Sequence, residues 1–284
     1  ARKPFVAQQL AKAAGVRDLD VGYAGLKDRH AITRQWFSIH LPHGKGTGDT
    51  PDLTGLQHPE FKVLQQSRHV KKLRAGDLQG NRFRILLRDV TGDRAAIDAN
   101  LRAVAAHGVP NYFGAQRFGH DGGNVEQGRA MLAREIRVRN PKTKGIYLSA
   151  VRSFVFNDVL ALRIQRGLWG QTLPGDVLDA AGRPTGPLWG RGRVGTTDLA
   201  QALELEVAER HASLCEGMEF AGLDQDRRAL VALPVDMAWD WPQADQLVIT
   251  FSLPAGTYAT AVLDEILRTS EPGRLAENEP TPVE

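Results

Sequence analysis

The chain has 284 residues, of which 42% are hydrophobic and 24% are charged, and its formal net charge is +3. This composition is ordinary for a globular protein, and the length predicts a large core divided between two domains. The single cysteine, Cys215, excludes an internal disulfide framework and a thiolate metal cage. Because the eight histidines are scattered rather than set at ligand spacing, we expect no zinc site.

Apolar segments are short throughout the sequence. No apolar run approaches the length that crosses a lipid bilayer, and no secretory signal pattern opens the chain. We therefore expect no membrane association and a cytoplasmic location.

Charge is distributed unevenly along the chain. Residues 61–90 contain eight basic and two acidic side chains, whereas residues 198–226 contain one basic and eight acidic side chains. A segregated basic region is typical of a phosphate-binding surface. A solvated charged face fits the same pattern equally well.

Local sequence patterns predict the elements of the first part of the chain. Pro4 in a first turn, an amphipathic stripe and Gly15 beyond it predict a helix. A short strand is predicted at 21–25 and a second one at 36–41. The segment 41–56 is rich in Gly, Pro, Asp and Thr, which predicts a loop.

Residues 81–89 alternate in polarity, which predicts a half-buried strand with a basic open face. The apolar side consists of Phe83, Ile85 and Leu87. The basic side consists of Arg82, Arg84 and Arg88.

Further elements follow downstream. Apolar spacing over 97–104 predicts a helix that stops at Gly108. Ser149 is predicted to cap another helix, and the Gly- and Pro-rich stretch 166–193 gives no pattern from which a regular element can be placed. Alternation at 247–253 predicts a strand, followed by a turn at 254–256 and a helix at 258–267. Helices and strands interleaved in this irregular way predict an α+β fold.

The most informative stretch runs from Gly22 to Gln35 (Gly-Tyr-Ala-Gly-Leu-Lys-Asp-Arg-His-Ala-Ile-Thr-Arg-Gln). Its acid, Asp28, follows a predicted strand and a glycine turn, and it lies between Lys27 and Arg29. Such a position can hold a carboxylate ionised and aimed into a cleft, as a nucleophile requires. In isolation, however, an aspartate in a turn more often serves as a cap or turn residue.

The stretch from Gly22 to Gln35 resembles the signature of the TruD family of pseudouridine synthases. In that family the aspartate of a Gly-x-Lys-Asp-x-His-Ala motif is the catalytic residue. Four further runs resemble family segments in the same order along the chain, which argues against coincidence. They are Gly80–Phe83, Val109–Gly119, Leu148–Ser153 and Leu253–Thr260.

The resemblance implies that the protein isomerises uridine to pseudouridine in RNA, with Asp28 as the catalytic aspartate. The target uridine is turned out of its stack, and its base is detached, rotated and rejoined through carbon without a metal or cofactor. By the same resemblance, Tyr258 would stack on the flipped base, and Asn81 and Phe83 would lie in the active site.

Simpler roles remain open for several of these residues. Phe83 lies on the apolar face of its strand and could belong to the core, and Asn81 could serve a turn. Lys27 and Arg29 could either bind phosphate or support the aspartate between them. His30 more naturally braces the loop than acts as a general base.

The substrate implied by the resemblance is tRNA, with uridine 13 as the expected target, and no protein partner is implied. RNA would lie in a cleft that has the basic strand 82–88 and the segment 134–144 as its walls. The candidates for contacts with the RNA backbone are Lys71, Lys72, Arg82, Arg84 and Arg88.

The resemblance also implies a division into domains. A pseudouridine-synthase catalytic domain with a mixed sheet would combine residues 1–107 and 233–284. A family-specific α/β insertion domain would span 108–232. The strand 247–253 should then lie in the same sheet as the strand 82–88. The family pattern also has a strand and a lysine before the first helix and a longer stretch near 179–187 than this sequence contains.

Two alternatives remain beside a synthase acting on tRNA. One is a non-catalytic RNA-binding protein on the same scaffold, and the other is a synthase that acts on another RNA. A carboxylate-based hydrolase is disfavoured, because no second acid lies in the motif to work with Asp28.

Overall fold

The structure, a computed structural model, describes residues 3–25, 27–28, 31–41, 51–74 and 76–269. Contacts divide the chain into two compact units, the first ending at Asn81 and the second beginning at Arg82. The described residues of the first unit form one α-helix and four short strands, and a fifth strand spans the boundary. Their bounds are Lys3–Ala14 (α1), Val21–Tyr23 (β1), Phe37–Ile39 (β2), Gln57–His58 (β3), Phe61–Lys62 (β4) and Gly80–Leu87 (β5).

The predicted first helix and the two strands that follow it are confirmed. Strands β1 and β2 are antiparallel, with Val21 opposite Ile39. The small side chain of Ala11 on α1 is 1% exposed and packs in one cluster with Val21. Of the predicted loop at 41–56, residues 42–50 lie outside the described residues.

Gly22 allows a neighbouring chain segment to run close beside β1. A Cβ atom at this position would lie 2.2 Å from the carbonyl oxygen of Leu73. Ser38 on β2 accepts a hydrogen bond from the Leu73 amide at 2.8 Å through its Oγ. Lys72 Nζ donates to the carbonyl oxygen of Leu19. These contacts fix residues 72–73 beside the first two strands.

The second unit contains the remaining helices and strands, and it confirms the α+β fold class. Their bounds are Arg94–His107 (α2), Val109–Pro110 (β6), Gly123–Leu132 (α3), Pro141–Gln165 (α4), Thr185–Leu188 (β7), Asp198–Arg210 (α5), Ala212–Phe220 (α6), Asp226–Ala229 (β8), Val231–Ala232 (β9), Val235–Gln243 (β10), Gln246–Pro254 (β11) and Ala259–Ile266 (α7). The strand pairs β10–β11, β6–β9 and β7–β8 are antiparallel.

A three-stranded sheet in the order β10-β11-β5 forms the base of one core. The prediction that strands 82–88 and 247–253 share a sheet is therefore confirmed. The ring of Phe83 on β5 lies 5.5 Å from the ring of Phe251, which is fully buried. Helices α2 and α7 contribute Leu101 and Val262, both 0% exposed, to the same cluster. The alternation predicted for both strands thus marks the face that packs against these helices.

A second core surrounds the long helix α4, which packs against α3, α5 and α6. The helix begins at Asn140, whose Oδ1 accepts hydrogen bonds from the amides of Lys142 at 2.9 Å and Thr143 at 3.3 Å. The prediction that Ser149 caps this helix was wrong, because Ser149 lies about two turns inside it. An Asn cap followed by Pro141 is the stronger start signal.

Helix α4 is also the one helix in the described part of the chain that is long and apolar enough to cross a membrane. The expectation that no apolar run reaches that length was therefore wrong. Half of its most apolar window is buried inside the protein. Apolar residues such as Val151 and Phe156, both 0% exposed, serve the packing of this core helix.

The stretch 166–193 contains a strand that its sequence did not predict. Strand β7 is Thr-Gly-Pro-Leu, and its first three residues are buried. A Cβ atom at Gly186 would lie 2.8 Å from Leu230 and 3.0 Å from Phe156. Because both faces of the strand are covered, the polarity alternation of a half-buried strand is absent.

We predict that Gly108→Ala destabilises the second unit more than an ordinary glycine replacement. Gly108 ends α2 with φ +74°, and a Cβ atom there would lie 2.6 Å from the carbonyl oxygen of Ala232. Gly167 has φ +68° but no atom within 4 Å of a Cβ, so Gly167→Ala is the matched control. The free energy of unfolding should fall by about 3 kcal/mol or more for the first variant and by about 1 kcal/mol for the second. Chemical denaturation measures both, and equal losses would contradict the close approach.

Candidate functional site

The loop after β1 carries the predicted catalytic aspartate. The chain turns at Gly25 with φ +99°, a conformation that favours glycine. A Cβ atom at Gly25 would lie 3.1 Å from the side chain of Leu78, so the loop passes close to the segment before β5. Asp28 follows this turn and is exposed. The position fits a carboxylate that must reach a ligand.

Lys27 connects this loop to the start of β5. Its Nζ donates a hydrogen bond to Oδ1 of Asn81, and both residues are half-buried. The contact brings together two of the family-like runs, Gly22–Gln35 and Gly80–Phe83. The bond occupies one of the three N–H groups of the ammonium. Lys27 therefore braces the loop that carries Asp28.

The other predicted residues of the first unit have various surroundings. Arg29 and His30 lie outside the described residues, so their roles stay predictions. Lys71 is exposed, and its Nζ is 4.0 Å from a carboxylate oxygen of Asp77. Surface ion pairs at this distance contribute little to stability. Lys72 is half-buried and donates to a backbone carbonyl.

The predicted residues of β5 lie on its two opposite faces. Phe83 packs on Phe251 at the core of the second unit but is only half-buried, so its active-site role stays a prediction. Arg82, Arg84 and Arg88 are exposed. Within the described residues these three arginines make no hydrogen bond or ion pair to protein. They are placed as a basic surface would require.

Tyr258 lies in the second unit, at the residue before α7. Its ring meets the ring of Phe113 in an edge-to-face arrangement, with centroids 6.4 Å apart. Its hydroxyl accepts a hydrogen bond from Nη2 of Arg117 at 3.3 Å. Tyr258 remains half-buried. The ring is thus held by contacts while part of its surface stays accessible.

Phe113 is fixed by α4. Its amide donates to Oδ1 of Asn157 at 2.9 Å, and its carbonyl oxygen accepts from Nδ2 of the same side chain at 3.0 Å. Its ring also meets the ring of Phe156 in an edge-to-face contact at 5.4 Å. Two hydrogen bonds from one amide leave Phe113 little freedom of position.

Two arginines flank the ring of Phe113. The guanidinium carbon of Arg117 lies 5.3 Å from the ring centroid, and that of Arg228 lies 4.0 Å away. Such contacts are attractive because the ring face is electron-rich. Arg117 donates to Oγ of Ser149 at 2.9 Å. We call the four residues Phe113, Arg117, Arg228 and Tyr258 the arginine–aromatic cluster.

Arg228 ties this cluster to the turn before Tyr258. Its guanidinium donates to Oδ1 of Asn111 at 2.7 Å and to the carbonyl oxygen of Gly256 at 2.9 Å. Burial, together with the nearby charge of Arg117, lowers the pKa of Arg228 to about 10. Arg228 is still protonated at neutral pH, so the cluster carries positive charge.

The structure brings three family-like runs together at this cluster. Val109–Gly119 supplies Phe113 and Arg117, Leu148–Ser153 supplies Ser149, and Leu253–Thr260 supplies Tyr258. Sequence reasoning missed Arg228, which lies outside all five runs. The signal that could have found it was weak, because Arg228 is one of two adjacent arginines on a short strand.

Metal ligation and thiol chemistry were the other kinds of site that the sequence raised. No group of three His, Cys, Asp or Glu side chains there is placed to hold a metal ion. Cys215 is buried, and burial raises the pKa of its thiol to about 12. The thiol is therefore protonated at neutral pH and is a poor nucleophile.

Comparison with known proteins identifies the family. The family model for tRNA pseudouridine synthase D (TruD) matches residues 4–140. The tRNA pseudouridine synthase D of Nitrosococcus oceani is 42% identical over 291 residues, which cover 94% of this chain and 80% of the relative. That of Pseudomonas entomophila is 43% identical over 284 residues, covering 92% and 79%. The chain belongs to the TruD family.

A solved structure described as TruD from Methanosarcina mazei shares the fold. Its TM-score is 0.62 at 20% sequence identity, and the match covers 92% of this chain and 84% of that chain. The TruD match at 4–140 includes the runs Gly22–Gln35, Gly80–Phe83 and Val109–Gly119. The two runs further along the chain fall within the span that the whole-chain relatives match.

Proposed function

We propose that this TruD-family protein isomerises uridine to pseudouridine in tRNA, with uridine 13 as its target and Asp28 as its catalytic aspartate. The observation that carries the proposal is the near-complete match to tRNA pseudouridine synthases, which covers 94% of the chain with the Nitrosococcus oceani protein. The exposed position of Asp28 on a glycine-turned loop braced by Lys27 supports its role.

The reaction needs no redox partner. The bond between N1 and C1′ of uridine breaks, and a bond between C5 and C1′ forms. The C5 proton is lost to solvent and N1 gains a proton, so atoms and electrons balance. A carboxylate can serve this chemistry by attacking C6 of the base or C1′ of the ribose, or by promoting elimination at the sugar. Asp28 carries that carboxylate.

The target base must leave its stack before the carboxylate can reach it. Tyr258 offers the flat surface on which a flipped base can stack. Its edge contact with Phe113 supports this role, because it holds the ring while leaving Tyr258 half-buried. We propose that Asn81 also lines the active site, because its hydrogen bond with Lys27 holds it beside the loop that carries Asp28.

We also propose that the catalytic domain is discontinuous, with residues 1–107 and 233–284 on either side of an insertion at 108–232. One core of the second unit supports this division. It joins α2 to β11 and α7, although the whole insertion lies between α2 and β11 in sequence, and from the insertion it includes Val109 and Ala232 near the two ends. The other clusters of this unit, around α4, draw on residues within the insertion, with Tyr258 packed at their edge. We expect an enzyme with a tRNA substrate to act in the cytoplasm.

Asp28→Asn should remove turnover by several orders of magnitude, because the amide cannot act as a nucleophile. Binding of tRNA should stay within about tenfold, or about 1.4 kcal/mol. Tritium release from tRNA labelled at C5 of uridine measures turnover, and filter binding measures affinity. The matched control is Asp18→Asn, another exposed aspartate of the first unit, which should keep wild-type turnover.

Three outcomes of this experiment separate the alternatives. An Asp28→Asn protein with a tenth of the wild-type single-turnover rate would remove Asp28 from the mechanism. A wild-type protein that binds tRNA without tritium release would favour the RNA-binding alternative. Release from another RNA but not from tRNA would favour a different substrate.

Replacing Arg82, Arg84 and Arg88 together by Ala should weaken binding to all RNAs alike, because these exposed arginines are proposed to contact phosphates. The slope of log K against log salt should fall by about 0.7–0.9 for each phosphate that the variant no longer neutralises. Arg102→Ala on α2 is the control, since Arg102 is exposed but outside the basic strand. An unchanged slope in the triple variant would mean that these arginines form only a solvated face.

Tyr258→Phe should keep most of the activity, within about tenfold, because the ring rather than the hydroxyl is proposed to support the base. The variant loses the hydrogen bond from Arg117 but keeps its packing against Phe113. Tyr258→Leu should lose the stacking contribution of about 1–3 kcal/mol, or about five- to 150-fold in rate. Single-turnover kinetics on one tRNA measures both variants, with thermal melts as the folding control. A Phe variant as inactive as Asp28→Asn would show that Tyr258 transfers a proton.

A further inference from the structure

The arginine–aromatic cluster holds two positive charges without a negative one. Within the described residues, every hydrogen bond from Arg117 and Arg228 goes to a neutral acceptor: a hydroxyl, an amide oxygen or a backbone carbonyl. Among the described residues, neither guanidinium has a carboxylate within ion-pair distance. Both residues are half-buried, so water solvates them only in part.

Of the other described arginines in this unit, two with little exposure are neutralised by a carboxylate, whereas the half-buried Arg152 donates only to backbone carbonyls. Arg163 lies 2.7 Å from a carboxylate oxygen of Asp176, and Arg227 lies 2.6 Å from one of Glu204. Arg227 and Arg228 are adjacent in the chain, yet within the described residues only Arg227 has a carboxylate partner. Removing a charge from water is costly unless an opposite charge accompanies it. The cluster therefore has the electrostatic character of a site that an anion completes.

The guanidiniums also have unused donors. Arg117 donates once from Nη1 and once from Nη2, and each of these nitrogens carries two hydrogens. Arg228 donates from Nη1 to the carbonyl of Gly256 and has a second hydrogen on that nitrogen. Planar guanidinium groups match the oxygens of a phosphate well. The nature of these donors thus indicates a phosphate.

The position of the two arginines beside Tyr258 indicates which phosphate of the RNA they would bind. Arg117 contacts the hydroxyl of Tyr258, and Arg228 holds the turn that precedes Tyr258. We propose that Arg117 and Arg228 bind one backbone phosphate of the tRNA, adjacent to the nucleotide whose base stacks on Tyr258. This inference rests on the proposed function. It adds a phosphate subsite that would fix the backbone on which the target nucleotide turns.

The test is a double-mutant cycle between the protein and a single phosphate. Full-length tRNAs are ligated with one neutral methylphosphonate linkage, either 5′ or 3′ of the target uridine. Their affinities are measured for the Asp28→Asn protein, which cannot turn over, and for Asp28→Asn combined with Arg117→Gln. At one of the two positions, the neutral methylphosphonate should weaken binding to the protein with Arg117 by about tenfold or more, because the guanidinium loses its charged partner. The same linkage should have little effect on the protein that carries Arg117→Gln.

Matched variants separate phosphate binding from a purely structural role. Arg117→Lys keeps the charge but loses the planar fork, so it should retain part of the tenfold sensitivity. Arg228→Gln should also reduce that sensitivity, whereas Arg102→Gln on α2 should leave it intact. Thermal melts identify variants that fail to fold. If Arg117→Gln does not fold, Arg117→Lys takes its place in the comparison of the two linkages.

The proposal would be overturned if, at each linkage, the methylphosphonate weakened binding equally in the protein with Arg117 and in the protein with Arg117→Gln. The arginines would then only support Phe113 and Tyr258. The same applies if neither linkage matters to the protein that retains Arg117. The proposed function fails separately, if the wild-type protein releases no tritium from tRNA labelled at C5 of uridine. If Asp28→Asn abolishes tritium release but neither linkage is coupled to Arg117, the phosphate subsite is disproved and the proposed function stands.

Discussion

The ring of Phe113 is the point on which the site residues of the second unit depend. Asn157 fixes its backbone through two hydrogen bonds, and the ring then contacts Tyr258 and both flanking guanidiniums. Removing the Asn157 amide would leave two backbone groups without partners inside the protein, each at a cost of about 1–3 kcal/mol. A single side-chain amide on α4 therefore determines where the aromatic and cationic groups lie.

Periodic elements of this fold could be predicted because one face of each is buried and the other is not. The strands at 81–89 and 247–253 alternate for that reason, and their shared sheet is found. The strand β7 could not be predicted, because both of its faces are covered and Gly186 has no room for a side chain. The start of α4 was misplaced because Ser149 was preferred to Asn140, although Pro141 follows the latter.

The candidate site was predictable only in part, for a related reason. Lys27, Asp28 and Asn81 lie in recognisable runs, and the structure joins Lys27 to Asn81 across 54 positions. Arg228 lies in no such run, because its role comes from contacts with segments distant in sequence. Its bonds to Asn111 and Gly256 span 117 and 28 positions. Local patterns carry no information about contacts of this kind.

The two sets of arginines in this protein suit two different stages of RNA binding. Exposed residues such as Arg82 and Arg84 would attract phosphates over a distance, although salt screens this attraction beyond about 8–10 Å. Arg117 and Arg228 are half-buried and held by neutral acceptors, so screening acts on them less. Their orientation is set before RNA arrives, and little side-chain freedom is lost when a phosphate binds. On the roles proposed above, the exposed set would govern how fast and how generally RNA is captured, and the held pair would govern where one nucleotide comes to rest.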